Sequence, residues 1–186
     1  MNSKLKKTLA IAACAGMCVA FAGCGDVTPE GDPQTYANPD NTVSIDLPAT
    51  SEETWTINEE ASSAVLDVMH SSRSVDVQIQ CVTKAQAEPV AADFEAYADY
   101  SLRKWQPDFM RDVQVANCDV AAPEWAKDSQ IEEFKGEADG RDVKGIRAYL
   151  ASDRCFYTVL VIATADTFAG NKKAIEQTIA TVKEIK

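Results

Sequence analysis

The sequence predicts an α+β fold, a mostly antiparallel sheet of roughly six to seven strands flanked by helices. Three observations carry that prediction. From Thr42 onward, apolar and polar residues alternate at a period of two in several short runs. The period turns helical in only two long stretches, one in mid-chain and one at the end. The strands also come in runs and are not interleaved with helices, which argues against a doubly wound parallel sheet.

The elements follow in order. In Thr42-Val-Ser-Ile-Asp-Leu, residues Val43, Ile45 and Leu47 share one face, and Pro48 ends the strand. A short strand is expected around Trp55-Thr-Ile. Residues 64–69 (Ala-Val-Leu-Asp-Val-Met) form a strand with apolar residues on both faces. Val75, Val77, Ile79 and Cys81 alternate with Asp76, Gln78 and Gln80, which gives a strand with one wet face. Phe94, Tyr97, Leu102 and Trp105 then follow helical spacing, and Pro107 is expected to stop that helix.

A strand at 113–115 comes next, followed by an irregular stretch through Pro123-Glu-Trp125. Asp139-Gly140 is a hairpin dipeptide, because type I′ turns need positive φ at both central residues. Residues 131–138 should therefore pair with 143–150, and these in turn with 156–164 across Ser152-Asp-Arg154. Phe156-Tyr-Thr-Val-Leu-Val-Ile-Ala is the most apolar run after the signal, with large residues on both faces, as a central strand covered on each side must have. A helix over 171–184 closes the chain, with Ile175, Ile179, Val182 and Ile185 opposite Lys172, Glu176 and Lys183.

Ahead of this domain, Lys4, Lys6 and Lys7 precede an apolar run, and Phe21-Ala-Gly-Cys24 closes it with small residues before a cysteine. This resembles the lipobox of bacterial lipoproteins. It implies a signal peptide over 1–23, lipid attachment at Cys24, and an extracytoplasmic address at the cell membrane. The alternative is ordinary cleavage after Ala20-Phe-Ala22, which would release a secreted protein. Residues 24–41, with prolines, glycines and acids dominating, are expected to form a flexible tether. Residues 42–186 then form a single domain with no internal repeat.

The whole chain has 18 basic and 29 acidic side chains; residues 1–23 carry three lysines and no acids, so the remainder stands at −14. Such a surface is repelled by nucleic acid and by anionic headgroups. Membrane association must therefore come from the lipid on Cys24. Beyond the signal and Cys24, three cysteines remain: Cys81, Cys118 and Cys155. They allow one disulfide in any of three pairings, or three buried thiols, and their spacing favours no pair.

Catalytic patterns are absent: no G-x-S-x-G, no H-E-x-x-H, no P-loop, no G-x-G-x-x-G, and no C-x-x-C after the signal. His70 is the only histidine, in an apparent loop before Ser71-Ser72, and is expected at the surface. A cysteine nucleophile would need His70 beside it, and Cys81 lies on an apolar strand face where thiols are inert. Glu132, Glu133, Glu137, Asp139 and Asp142 crowd one hairpin, while Glu52, Glu53, Glu59 and Glu60 crowd the early loops. Without a calcium-loop pattern these read as a solvated face. Tyr97 and Trp105 read as core. Trp125, in the irregular segment, is the preferred interface residue.

The order of elements resembles the PsbP-like superfamily. Its carriers here are the opening Val43-Ser-Ile-Asp-Leu-Pro48, Trp55, the helix over 94–105, the hairpin feeding Phe156-Tyr157, and the terminal amphipathic helix. The resemblance spans 42–186 and implies an α-β-α sandwich. Known members are mostly binding or accessory modules, and no family-wide catalytic residues carry over. The expected function is a non-enzymatic, membrane-tethered lipoprotein, a binding or accessory module for a protein partner in the cell envelope, with no cofactor. The alternative is a small-ligand or cation-binding lipoprotein that delivers to a transporter. It would need a concave pocket with converging polar groups.

Overall fold

The computed structural model of the protein describes residues 32–49, 55–70, 75–138 and 140–185, with backbone alone at 103–109. The signal, Cys24, Ser71-Ser72, Asp139 and the side chain of Trp105 lie outside the described residues.

Among the described residues ten strands and three helices follow one another: β1 (Gln34–Ala37), β2 (Val43–Leu47), β3 (Trp55–Ile57), β4 (Val65–His70), β5 (Val75–Thr83), α1 (Lys84–Ala87), α2 (Phe94–Phe109), β6 (Met110–Asn117), β7 (Asp128–Ala138), β8 (Arg141–Ala151), β9 (Cys155–Thr164), α3 (Ala165–Ala180) and β10 (Lys183–Glu184). Seven strands form one antiparallel sheet in the order β3-β4-β5-β9-β8-β7-β6, and β1-β2-β10 form a second, smaller one. The expected α+β class holds. The apolar β9 is the middle strand, and the two hairpins pair as Phe134↔Gly145 and Ile146↔Val161. Gly140 takes φ +75° in the β7–β8 turn, a conformation that only glycine adopts without strain.

The register explains why both faces of β9 are apolar. On one face α3 sets Phe168, Ile175 and Ile179 against Val77, Val159 and Val161. On the other, Tyr97 and Ala98 of α2 pack on Phe156 and Tyr149, with Tyr97 stacked on Phe156 at 4.8 Å and bonded to the Thr158 hydroxyl at 2.9 Å. Helices therefore cover opposite faces of the sheet. At roughly 25 cal/mol per Å² of apolar area, these two buried layers are the main force holding the domain.

Five expectations are corrected. Gln34–Ala37 belong to a strand, not to the tether, because the segment pairs with β2 from Gln34↔Leu47 to Ala37↔Ser44. Asn38 makes this possible: its side-chain oxygen accepts from the Thr42 and Val43 amides, and its amide donates to the Ser63 carbonyl at 2.8 Å. A buried side chain thus satisfies backbone groups that a polar segment would leave to water. Helix α2 runs past Pro107 to Phe109, and the 113–115 strand lengthens to Met110–Asn117, with a bulge between Arg111 and Gln114. Helix α3 starts at Ala165 rather than near 171, since the Thr164 hydroxyl caps it by accepting from the Thr167 amide. It ends at Ala180, and Lys183–Glu184, expected as helix, form β10 against Ser44 and Val43. Among the described residues no helix is long and apolar enough to cross a membrane.

Candidate functional site

His70 is not a surface residue. It ends β4 on the α3 side of the sheet, 1% exposed, with its ring edge-on to Trp55 at 5.0 Å. Periodicity missed this because β3, across the pair Trp55↔His70, is only three residues long. Trp125, the preferred interface residue, is half-buried. Its indole N–H donates to the Val182 carbonyl at 2.7 Å and its ring meets Tyr157 edge-on at 5.1 Å, so it plugs the end of the α3 layer.

Tyr157 leads from Trp125 to a polar cluster. Its hydroxyl donates to Glu184 Oε1 at 3.0 Å, which also accepts from the Ser152 hydroxyl and from Arg154 Nη2, both at 3.0 Å. Burial opposes the charge on Glu184, but these three donors outweigh it and hold the carboxyl below its usual range. Cys81 and Cys155 adjoin this cluster. Burial, then the neighbouring Cys155 thiol, push the Cys81 thiol up to about 11. At neutral pH that thiol is protonated and a poor nucleophile. Cys118 lies elsewhere, near Glu133, Glu176 and Lys172, and burial raises its thiol as well.

The opposite face of the sheet holds the buried ionisable side chains of Arg147, Asp76 and Asp67. Arg147, 1% exposed, pairs with Glu132 at 2.5 Å and lies over the Tyr149 ring at 5.5 Å. Asp76 and Asp67 sit diagonally across β5 and β4, and neither oxygen of Asp76 has a hydrogen-bond partner. Burial, then the Asp67 carboxylate, hold the Asp76 carboxyl well above the usual range. The acidic hairpin is thus only partly a solvated face: Glu132 serves Arg147, and Glu133 reaches Lys172 on α3 at 2.6 Å.

Two surface features remain. A narrow apolar cleft lies between the sheet and α3, lined by Leu47, Pro48, Trp55, Val77 and Ile175, with Asn171 and Thr178 as its polar members. Among the described residues no group of three or more histidine, cysteine, aspartate or glutamate side chains could hold a metal ion. The other feature is β6. It is one edge of the seven-stranded sheet, with β3 at the other; among the described residues it pairs only with β7, and Gln114–Asn117 are exposed on both faces, with Val115 44% exposed. Sequence reading placed a strand here but had no signal that it would lie at an edge.

No family model and no curated protein matches this sequence. Solved structures do match. The fold is similar to that of cyanobacterial PsbP from Synechocystis sp. PCC 6803, with TM-score 0.48, 11% identity, 88% of this chain and 98% of that one. It is similar to a protein of unknown function from Pseudomonas aeruginosa, with TM-score 0.47, 11% identity, 81% of this chain and 96% of that one. A protein from Bacteroides thetaiotaomicron VPI-5482 is similar at TM-score 0.50 and 13% identity, over 84% of this chain and 50% of that one. At these identities the likeness concerns the fold alone.

Proposed function

We propose that the protein is a non-enzymatic binding module of the cell envelope, tethered by lipid on Cys24, that docks an extended basic segment of a partner protein along β6. The observation that carries the reading is the edge from Gln114 to Asn117, which among the described residues has no strand on its outer side, is exposed on both faces and is free of the proline or lysine that blunt natural sheet edges. An edge of this kind offers backbone donors and acceptors to an added strand, and Val115 supplies an apolar contact. The excess of acids over bases, 29 against 18, selects a basic occupant and repels a second acidic copy.

The test compares the parent chain with Val115→Lys, and with Val90→Lys as a control at the other large hydrophobic exposed among the described residues. Each is expressed in its own membranes, lightly crosslinked and captured. Recovery of one partner in near-stoichiometric amount, lost with Val115→Lys and kept with Val90→Lys, is the expected result. A partner retained by both variants, or a parent chain that is dimeric by light scattering and monomeric as Val115→Lys, overturns the docking proposal. Cys24→Ser is expected to move the protein from the membrane to the soluble fraction. Unchanged membrane association would overturn the anchor.

A further inference from the structure

The register between β5 and β9 brings two of the three downstream cysteines together. Cys81 lies opposite Tyr157 and Thr83 opposite Cys155, so the two cysteines are diagonal neighbours on the same face of adjacent strands. The thiols interact directly, and the Thr42 and Tyr157 hydroxyls also contact Cys81. Both are 8% exposed, and Cys155 directly follows the Ser152–Arg154 turn, whose Arg154 side chain is 57% exposed. Cys118 is not part of this arrangement; it neighbours Glu133 and Lys172.

We propose that Cys81 and Cys155 are a site of reversible oxidation, closing an intrachain disulfide between β5 and β9 by exchange with a small-molecule disulfide. In the first step the thiolate of one cysteine attacks a sulfur of the reagent. The reagent S–S bond breaks, a mixed disulfide forms, and one thiol leaves with a proton. The second cysteine then attacks the protein sulfur of the mixed disulfide, so the protein S–S bond forms and the second reagent thiol leaves. The two cysteines lose two electrons and two protons, and the reagent disulfide gains both.

Geometry argues for reversibility. Diagonal neighbours in an antiparallel pair stand about 7–8 Å apart at Cα, whereas disulfides prefer about 4.4–6.8 Å. The bridge must draw the strands together locally, and a bond formed at that cost is the easily reduced kind. The same displacement bears on the small sheet. Cys81 touches Thr42, whose carbonyl accepts from the Ile185 amide, and Tyr157 holds Glu184 of β10. Oxidation therefore acts on the contacts that fasten β10, and with it β2, to the main sheet. The high affinity of the Cys81 thiol for its proton makes exchange faster at alkaline pH.

The test equilibrates the full chain with graded ratios of oxidised to reduced glutathione at pH 8, alkylates free thiols, and maps peptides without reduction. The expected result is a Cys81–Cys155 linked peptide, alkylated Cys118, and recovery of both thiols on return to reduced glutathione. Cys118→Ser should retain the bridge, and Cys155→Ser should abolish it. Alkylation of all three cysteines at the most oxidising ratio, a bridge that includes Cys118, or a glutathione adduct with no protein bridge would each overturn the proposal.

Discussion

Replacing Glu132 by alanine leaves Arg147 in the interior without the carboxylate that faces it. Arg147 is 1% exposed and its Nη2 lies 2.5 Å from Glu132 Oε2, while Glu132 is 14% exposed. Removing one partner of a buried pair costs about 3–5 kcal/mol, because the remaining charge keeps its desolvation penalty. Glu132 retains some contact with water, which places the cost at the lower end, about 3 kcal/mol. For a chain of this size each kcal/mol moves the midpoint by about 2–4 °C, so a fall of about 6–12 °C is expected. The assay is thermal unfolding followed by far-ultraviolet circular dichroism, with urea unfolding as a second measure. The double variant Glu132→Leu with Arg147→Met should return to within about 1 kcal/mol of the parent, since apolar side chains of similar volume avoid the desolvation altogether. A single variant within about 0.5 kcal/mol of the parent, or a double variant less stable than the single, would refute the argument that burial of Arg147 sets the cost.

Two further outcomes are expected. Gly145→Ala places a Cβ in contact with the Val161 carbonyl oxygen and 2.5 Å from Phe134 Cζ, and because backbone on the central strand cannot yield, a loss of about 2–3 kcal/mol is expected in urea unfolding. Asp76→Asn should change the pH dependence of stability: the native carboxyl binds its proton more tightly than the ordinary value of 3.8, so its favourable contribution is complete below that pH and is lost as pH rises toward the native value. The parent should thus lose stability relative to Asp76→Asn as pH rises above 3.8, and parallel pH profiles of melting for the two would overturn the assignment of a buried Asp76 that holds its proton more tightly than usual.

The sequence by itself determined the α+β class, the Asp139-Gly140 hairpin, the central position of β9 and the core roles of Tyr97, Ile175 and Ile179. Each of these is written in a local signal: a period of two, a period of 3.6, or a dipeptide that accepts positive φ. Tertiary structure decided the rest. Gln34–Ala37 read as tether because nothing within the segment is apolar enough to form a strand alone; β2 and the Asn38 side chain make it one. Lys183–Glu184 continue a helical pattern in sequence, yet they pair with Ser44 and Val43, well over a hundred residues upstream. Trp125 has its indole N–H taken by Val182, and His70 is covered next to Trp55, on contacts that no local window contains. Of the three possible cysteine pairings, only register placed Cys81 beside Cys155, and only the strand order left β6 with an open edge. Periodicity shows which face of an element is buried. Which element buries it, and which edge stays open, depends on contacts between residues far apart in the chain, and a single sequence does not encode these in any local pattern.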